Sequence, residues 1–469
     1  MEQEEIRNRA LNMQTKTDLL LLINEIQHDE LQGRDRPFAL QQLAYYAEPK
    51  NVFLRFREFD IPKKSGGKRH ISAPFHRNYA FMLHYVGVIL QSIYSPSEHT
   101  MGFVRGRSIV NNAKAHVGKN YIFNIDLKDF FPSITRSRII SCLQANPYNL
   151  EYNIAYYIAG LCCKRVKVEN TITQERKYRM VLPQGSPASP ALTNIVCEKL
   201  DCQLSGLAKR FGLSYTRYAD DITFSSQHNV YQEGSEFRLE LERVITEQQF
   251  AINHQKTRLN KVGYRQEVTG LTISDKVNVS RKYIKDLRSL LFIWEKYGYS
   301  DAAASMRKHS HNPSLNWCVR RRSSLISVVA GKLAFIKMVK GVDDSTYQTL
   351  QKRFANLRRR AWKNQPLHTD ILYRETMTVA EFEKRKHTSV QFIGPKKEYG
   401  TGYTESEQPA YMASFEIDGM KYMSCVKRTA DISVPKDKIC VSFCETHLAD
   451  GEFWLFHEPY KSHLFKKMR

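Results

Sequence analysis

Three acidic residues stand where acids are costly. Asp126 closes an apolar run, Tyr121-Ile122-Phe123-Asn124-Ile125. Asp220-Asp221 interrupts a second one, between Tyr215-Thr216-Arg217-Tyr218-Ala219 and Ile222-Thr223-Phe224. A carboxylate inside an apolar strand must be paired or bound to a metal, because burying its charge alone is unfavourable. A hairpin that presents an acid pair at its tip beside a third acid avoids that cost. It also makes an all-oxygen site suited to Mg²⁺. Two such ions about 4 Å apart can activate a hydroxyl nucleophile and stabilise a departing pyrophosphate.

The elements around these acids are ones that could position them. Tyr121 to Leu127 and Tyr215 to Ser225 read as strands from their apolar and β-branched content. A loop from Val181 to Pro190 holds Pro183, Pro187 and Pro190 and leads into a helix over Ala191 to Ala208. Residues 232–249 read as helix, and strands are expected at about 251–259 and 266–273. Upstream, residues 1–50 form a helical region with an amphipathic stretch at Leu19, Leu20, Leu22 and Ile23. Residues 51–75 read as strand, Gly-containing turn and strand, a hairpin carrying Lys63, Lys64, Lys68 and Arg69. From 281 to 365 the pattern is helical and strongly basic, and 366–394 reads as a linker. From 395 to 469 the chain turns β-rich, with runs at 411–417, 421–427, 438–444 and 452–457.

Motif order narrows the chemistry. Tyr218-Ala219-Asp220-Asp221 resembles the signature turn of reverse transcriptases. Asn124-Ile125-Asp126-Leu127-Lys128-Asp129-Phe130-Phe131-Pro132-Ser133-Ile134 resembles their first carboxylate motif, and Leu182-Pro183-Gln184-Gly185-Ser186-Pro187 their third, in the right order. Two further elements resemble bacterial retron enzymes: Asn112-Ala113-Lys114-Ala115-His116 and Val268-Thr269-Gly270. The resemblance covers about residues 50–345. It implies an α+β right-hand polymerase. Fingers and an antiparallel palm occupy 51–280 and a helical thumb 281–365, with a small β-rich domain appended at the C-terminus.

The resemblance also implies roles. Asp126, Asp220 and Asp221, with Leu127 beside the first, hold two Mg²⁺ ions. Arg69 and Lys63 grip the triphosphate of a deoxynucleotide, for which Arg offers a planar fork. Gln184 contacts the incoming nucleotide. Phe131 packs under its sugar and excludes a 2′-hydroxyl. Lys256 neutralises or protonates the leaving pyrophosphate. Asn112 and His116 belong to an RNA-contacting element. Asp129 is expected at the surface, and Arg217 and Lys128 are expected to be solvated or to face phosphate. The template would be a structured noncoding RNA, often also the primer, giving an RNA–DNA hybrid product and a role in defence against phage. Two other functions fit the same residues: a defence-associated reverse transcriptase with a different RNA or product, and an RNA-binding scaffold that has lost activity.

Composition supports a polyanionic partner. Lys and Arg number 71 against 48 Asp and Glu, a formal charge of +23. The pI is near 9.5. The thumb concentrates this charge at Arg320, Arg321 and Arg322 and from Lys352-Arg353 to Arg358, Arg359 and Arg360, with Trp317 and Trp362 interleaved. Cations neutralise phosphates and aromatics stack on unpaired bases, so this cluster is expected to hold RNA. No run of about 18 apolar residues marks a membrane span, and Met1 to Arg9 lack the apolar core of a secretory signal. Nine cysteines, an odd number spread along the chain, fit free thiols in a cytoplasmic protein. Cys440, Cys444 and His447, with Cys425, His457 and His463, are candidate zinc ligands. The four-residue spacing in a strand-like run lacks a knuckle turn, so zinc is not expected. The β-rich C-terminal region is expected to bind RNA, to self-associate or to contact an effector protein.

Overall fold

In the computed structural model the backbone is described except at 34–35, 49–54, 64–65, 170–175, 310–324, 365–370, 379–385, 390–410, 418–419, 427–437, 445–447, 450–451, 458–460 and 467–469. Side chains are described as far as Arg358, apart from residues at and beside these gaps. The chain divides into two compact units: one is built around Met1–Asp286, the other includes Gln348–Arg469, and the stretch between them contributes to both.

The first unit contains an antiparallel sheet within the expected 51–280. Strand β3 (Tyr121–Asp126) lies inside a four-stranded sheet of order β6-β7-β3-β8, with β6 Ser214–Tyr218, β7 Asp221–Ser226 and β8 Arg258–Lys261. All three pairings are antiparallel. Apolar alternation explains the orientation of β3, whose Ile122, Phe123 and Ile125 are buried. The Glu236–Glu247 helix buries Phe237, Leu241, Val244 and Ile245, one stripe of a 3.6-residue period. Phe237 meets Phe123 and Phe224 of the sheet edge-on. The Ser189–Arg210 helix follows the prolyl loop and carries Pro190 in its first turn, where a missing N–H costs nothing.

Two hairpins accompany this sheet. Strands β1 (Phe56–Pro62) and β2 (Lys68–Pro74) pair antiparallel, as expected, with Gly66 and Gly67 at positive φ in the turn. Strands β4 (Lys164–Glu169) and β5 (Arg176–Val181) form the other, which the sequence pattern did not reveal. Lys164 joins the two, donating to Glu58 at 2.7 Å and to Ser72 at 2.8 Å. The N-terminal region is helical as expected. A reciprocal cap between Thr15 and Asp18 starts the Lys16–Glu30 helix. Its Leu19, Leu22 and Ile23 join the same hydrophobic core as the four-stranded sheet, so residues 1–50 are no separate body.

Two expectations are corrected. No strand covers 251–257; instead Asn253 accepts from the backbone N–H of Lys256 and Thr257 and closes a turn before β8. Two short strands follow, β9 (Gln266–Val268) and β10 (Leu271–Ile273), which pair with each other; β10 also pairs with β11 (Val277–Asn278). The stretch 366–394, expected as linker, carries strands Ile371–Thr378 and Lys386–Ser389. They pair with Lys438–Cys444 and Tyr411–Ile417, respectively.

The basic region is helical: Arg281–Tyr297, Tyr299–His309, Leu325–Lys340 and Ser345–Asn364. Within the second unit Trp294 packs on Phe354 at 6.1 Å, and Arg353 makes a two-pronged bond to Glu295 at 2.9 and 2.6 Å. The C-terminal β-runs fall as Tyr411–Ile417, Met420–Val426, Lys438–Cys444 and Glu452–His457, close to the expected limits. The side chains of the candidate zinc ligands lie outside the described residues.

Candidate active site

Register brings the acids together. Asp126, the last residue of β3, is paired with Asp221, the first of β7. Tyr218 pairs with Asp221 across a two-residue turn made of Ala219 and Asp220. Ala219 has φ 56, a conformation that costs a residue with a Cβ about 1 kcal/mol or more. The Asp220 carbonyl accepts from the Leu127 N–H at 3.0 Å, tying the turn to the end of β3.

Two neighbours address Asp126 directly. Lys256 donates to its Oδ1 at 2.8 Å and its Oδ2 at 2.9 Å. Asn253 donates through its side chain to Oδ2 at 3.1 Å and through its backbone to the Asp126 carbonyl at 2.8 Å. Asn253 is a site residue absent from the sequence-based expectations; its signal was the Asn-x-x-Lys spacing before β8.

Electrostatics follow from this crowding. Partial burial first, then the charges of Asp220 and Asp126, hold the Asp221 carboxyl well above the usual carboxylate range; Lys256 and Arg69 oppose the shift. By surface area Asp221 itself is exposed at the start of β7. Asp220 is raised too, by burial and by Asp126, against a hydrogen bond from its own backbone. Three carboxylates and the adjacent Leu127 carbonyl would offer hard-oxygen donors with excess negative charge, the chemistry that fits Mg²⁺. Among the described residues no three such side chains already stand as a ready coordination group. The Asp126 carboxylate is instead held by Lys256.

Of the described residues expected to contact a nucleotide, Arg69 is the one whose charge reaches the acids. Arg69 is exposed on β2 and close enough to act on both Asp220 and Asp221. Gln184 is half-buried, and its carbonyl accepts from Ser72 of β2 at 2.8 Å. Gly185 is required there: its φ is 118, and a Cβ would meet Ile71 at 2.8 Å. Phe131 is half-buried, edge-on to Phe130 at 5.5 Å. Lys63 is exposed at the base of the hairpin turn, where its N–H donates to the Gly67 carbonyl. Lys64 lies outside the described residues, and Lys128 and Asp129 are exposed.

Three sequence expectations change. His116 is fully enclosed, its ring nitrogens 2.7 Å from Ser225 Oγ and 2.7 Å from Thr216 Oγ1. It clips β6 to β7 and has no surface to offer RNA in this fold. Asn112 is likewise buried, donating to Thr269 at 3.4 Å, so the Asn-Ala-x-x-His and Val-Thr-Gly elements pack on each other. Arg217, expected to be solvated or phosphate-facing, is wholly buried in an ion pair with Asp201. Of the expected RNA contacts, Arg358 is exposed on its helix. Arg320, Arg321 and Arg322 and the side chains of Arg359 and Arg360 lie outside the described residues, and Arg353 is engaged by Glu295.

The chain is similar to known reverse transcriptases. A family model described as reverse transcriptase (RNA-dependent DNA polymerase) matches residues 61–277. The retron Mx65 reverse transcriptase of Myxococcus xanthus is 38% identical over 248 residues, covering 52% of this chain and 57% of that protein. The retron Ec86 reverse transcriptase of Escherichia coli is 35% identical over 256 residues, covering 53% of this chain and 72% of that protein. The retron Mx162 reverse transcriptase of Myxococcus xanthus is 30% identical over 288 residues, covering 57% of this chain and 59% of that protein. The chain therefore spans little more than half the length of the two Myxococcus proteins. Among solved structures, telomerase from Candida albicans aligns at TM-score 0.36 and 10% identity, over 73% of this chain and 69% of that one. On the strength of the family match and the retron relatives, the chain is a member of the retron reverse transcriptase family.

Proposed function

We propose that this protein is an RNA-directed DNA polymerase of retron type, which copies a structured noncoding RNA into DNA in the bacterial cytoplasm as part of defence against phage. One observation carries the reading. Asp126 stands in register with Asp221, and Asp220 sits in the turn between β6 and β7, with Lys256 and Arg69 acting on the same acids. Asp126, Asp220, Asp221 and the Leu127 carbonyl would hold two Mg²⁺ ions. When bound, these supply the Lewis acidity that activates a primer hydroxyl and stabilises pyrophosphate.

The chain's own residues do the rest. Arg69 and Lys63 bind the triphosphate, and Gln184, set against β2 by its backbone, orients the nucleotide. Phe131 occupies the space a ribose 2′-hydroxyl would need. Lys256 leaves Asp126 and neutralises the departing pyrophosphate. Arg358, Arg359 and Arg360 with Arg320, Arg321 and Arg322 hold the RNA and the RNA–DNA hybrid. The C-terminal strands engage an effector protein or a second copy of the chain.

The protein purified from its own cells, its nucleic acid sequenced after separate RNase and DNase treatment, tests the proposal. A single RNA species covalently or base-paired to DNA copied from it is expected. A random sample of cellular RNA without DNA would point to an RNA-binding scaffold.

A further inference from the structure

The turn that carries Asp220 is held from behind by a ring of buried polar groups that touches none of the acids that would bind metal. Arg217, in β6, is wholly buried, and Asp201, on the Ser189–Arg210 helix, is nearly so. The guanidinium donates through Nε to Asp201 Oδ1 at 2.7 Å and through Nη2 to Oδ2 at 2.6 Å. Nη2 also donates to Asn194 Oδ1 at 3.2 Å, and Nη1 to the Ala219 carbonyl at 3.3 Å. Asp201 accepts further bonds from Thr100 at 2.8 Å and from the Tyr215 hydroxyl at 2.7 Å.

The ring closes through the segment around Thr100. Asn194 donates to the Gly102 carbonyl at 3.0 Å. The backbone of Arg217 donates to His99 at 2.9 Å and accepts from Met101 at 2.8 Å. Gly102 lies so close to the turn that a Cβ there would come within 2.6 Å of the Ala219 nitrogen.

A buried ion pair is a poor source of stability, because the cost of removing both charges from water offsets most of their attraction. A two-pronged pair with its remaining valences filled does have one geometry, and it transmits that geometry to whatever it touches. Here it touches the carbonyl of Ala219, the residue of the turn at positive φ, which immediately precedes Asp220. Functional carboxylates must be held to within about 0.5 Å, and groups behind them do the holding.

We infer that the Asp201–Arg217 pair, with Asn194 and Thr100, is a positioning device that keeps Ala219 left-handed and so sets Asp220 and Asp221 against Asp126 for a divalent cation. The inference rests on the reading of these three acids as the metal-holding set. None of the four residues is assigned a catalytic role; they act through the turn.

Arg217→Lys, Asp201→Asn and Thr100→Val test it in the full chain. Two readouts are needed: Mn²⁺ binding followed by electron paramagnetic resonance without nucleotide, and single-nucleotide addition titrated with Mg²⁺. Arg217→Lys keeps the charge but loses the fork. Its Mn²⁺ dissociation constant is expected to rise roughly tenfold, the effect of losing a group behind a metal ligand. Turnover should fall roughly a hundredfold, as for a misplacement of about 1 Å. Affinity for template–primer should stay at the parental value. Thr100→Val removes the bond to Asp201 at 2.8 Å, with those shared with Ser97 at 3.0 Å and Tyr94 at 3.4 Å, but no charge; it should fold, and should weaken Mn²⁺ less than Arg217→Lys does. If the two ion-pair variants fail to fold, Thr100→Val decides alone.

A purely structural ring would lower the number of Mn²⁺ sites without changing their affinity. Folded variants with parental Mn²⁺ affinity would overturn the inference. If the parent bound Mn²⁺ with this dependence yet added no nucleotide, the positioning role would stand and the polymerase reading would fall.

Discussion

Phe131 lies five residues after Asp126, on the one-turn Phe130–Ser133 helix that Asp129 opens at φ 47. It is half-buried and packed against the core, so part of the ring is fixed and part accessible. That placement suits a wall for the sugar. Phe131→Ala should therefore admit ribonucleotides: discrimination against them, read as the ratio of kcat/KM values, should fall by at least roughly tenfold, the scale of removing a close steric clash. Unchanged discrimination would make Phe131 a core residue only. At this scale the three acids were legible because acids interrupting apolar runs are rare and came in a recognisable order. Arg217 was not. An arginine beside an acid pair reads as solvated, and its partner lies sixteen residues earlier on another element. The available signal was Asp201 itself, a charge on the buried stripe formed by Cys197, Leu204 and Ala208 of its helix.

Among the elements, His116 fastens the hairpin that carries the acids. Burial, and secondarily the charge of Lys119, pushes its imidazole down to about 3. In the unfolded chain it titrates near 6.5. Below that value the unfolded state takes up a proton the folded state refuses, so stability should fall as pH drops from about 6.5 toward 3. Urea denaturation followed by circular dichroism should lose more stability on acidification in the parent than in His116→Gln, by about 1.4 kcal/mol per pH unit between about pH 6 and 4. Parallel slopes would show that His116 titrates normally. The sequence exposed this element only as a motif. Its burial required knowing that β6 and β7 both present hydroxyls, Thr216 and Ser225, toward the same helix end. Elsewhere, periodicity worked for short strands and amphipathic helices. No element was expected over Arg77–Ile93, although its buried Tyr79, Met82, Leu83, Tyr85, Val86, Ile89, Leu90 and Ile93 leave Arg77, His84 and Gln91 exposed at seven-residue spacing, a helical period. Periodicity failed at 251–257, where local bonds to Asn253 outcompete an extended conformation.

For the whole molecule, the charge of +23 calls for a polyanion, and the basic helices are where the sequence concentrates it. Arg358→Gln, Arg359→Gln and Arg360→Gln together should weaken RNA binding and lower the slope of log K against log salt by roughly 0.7–0.9 for each phosphate no longer neutralised. Nucleotide addition at saturating template should fall less than affinity does. A parental slope would place these arginines away from the RNA. Arg353 should contribute less to that slope, since Glu295 already engages it. Asp126, Asp220 and Asp221 together are proposed as a centre for RNA-templated DNA synthesis. The direct measurement is addition of one deoxynucleotide to a primer on a defined RNA template with Mg²⁺, comparing the parent with Asp220→Asn. Extension by the parent is expected, with a loss of about a thousandfold or more in the variant, the several kcal/mol that metal-positioned charge contributes, and RNA binding intact. Extension at parental rates by Asp220→Asn, or none by the parent, would contradict this assignment.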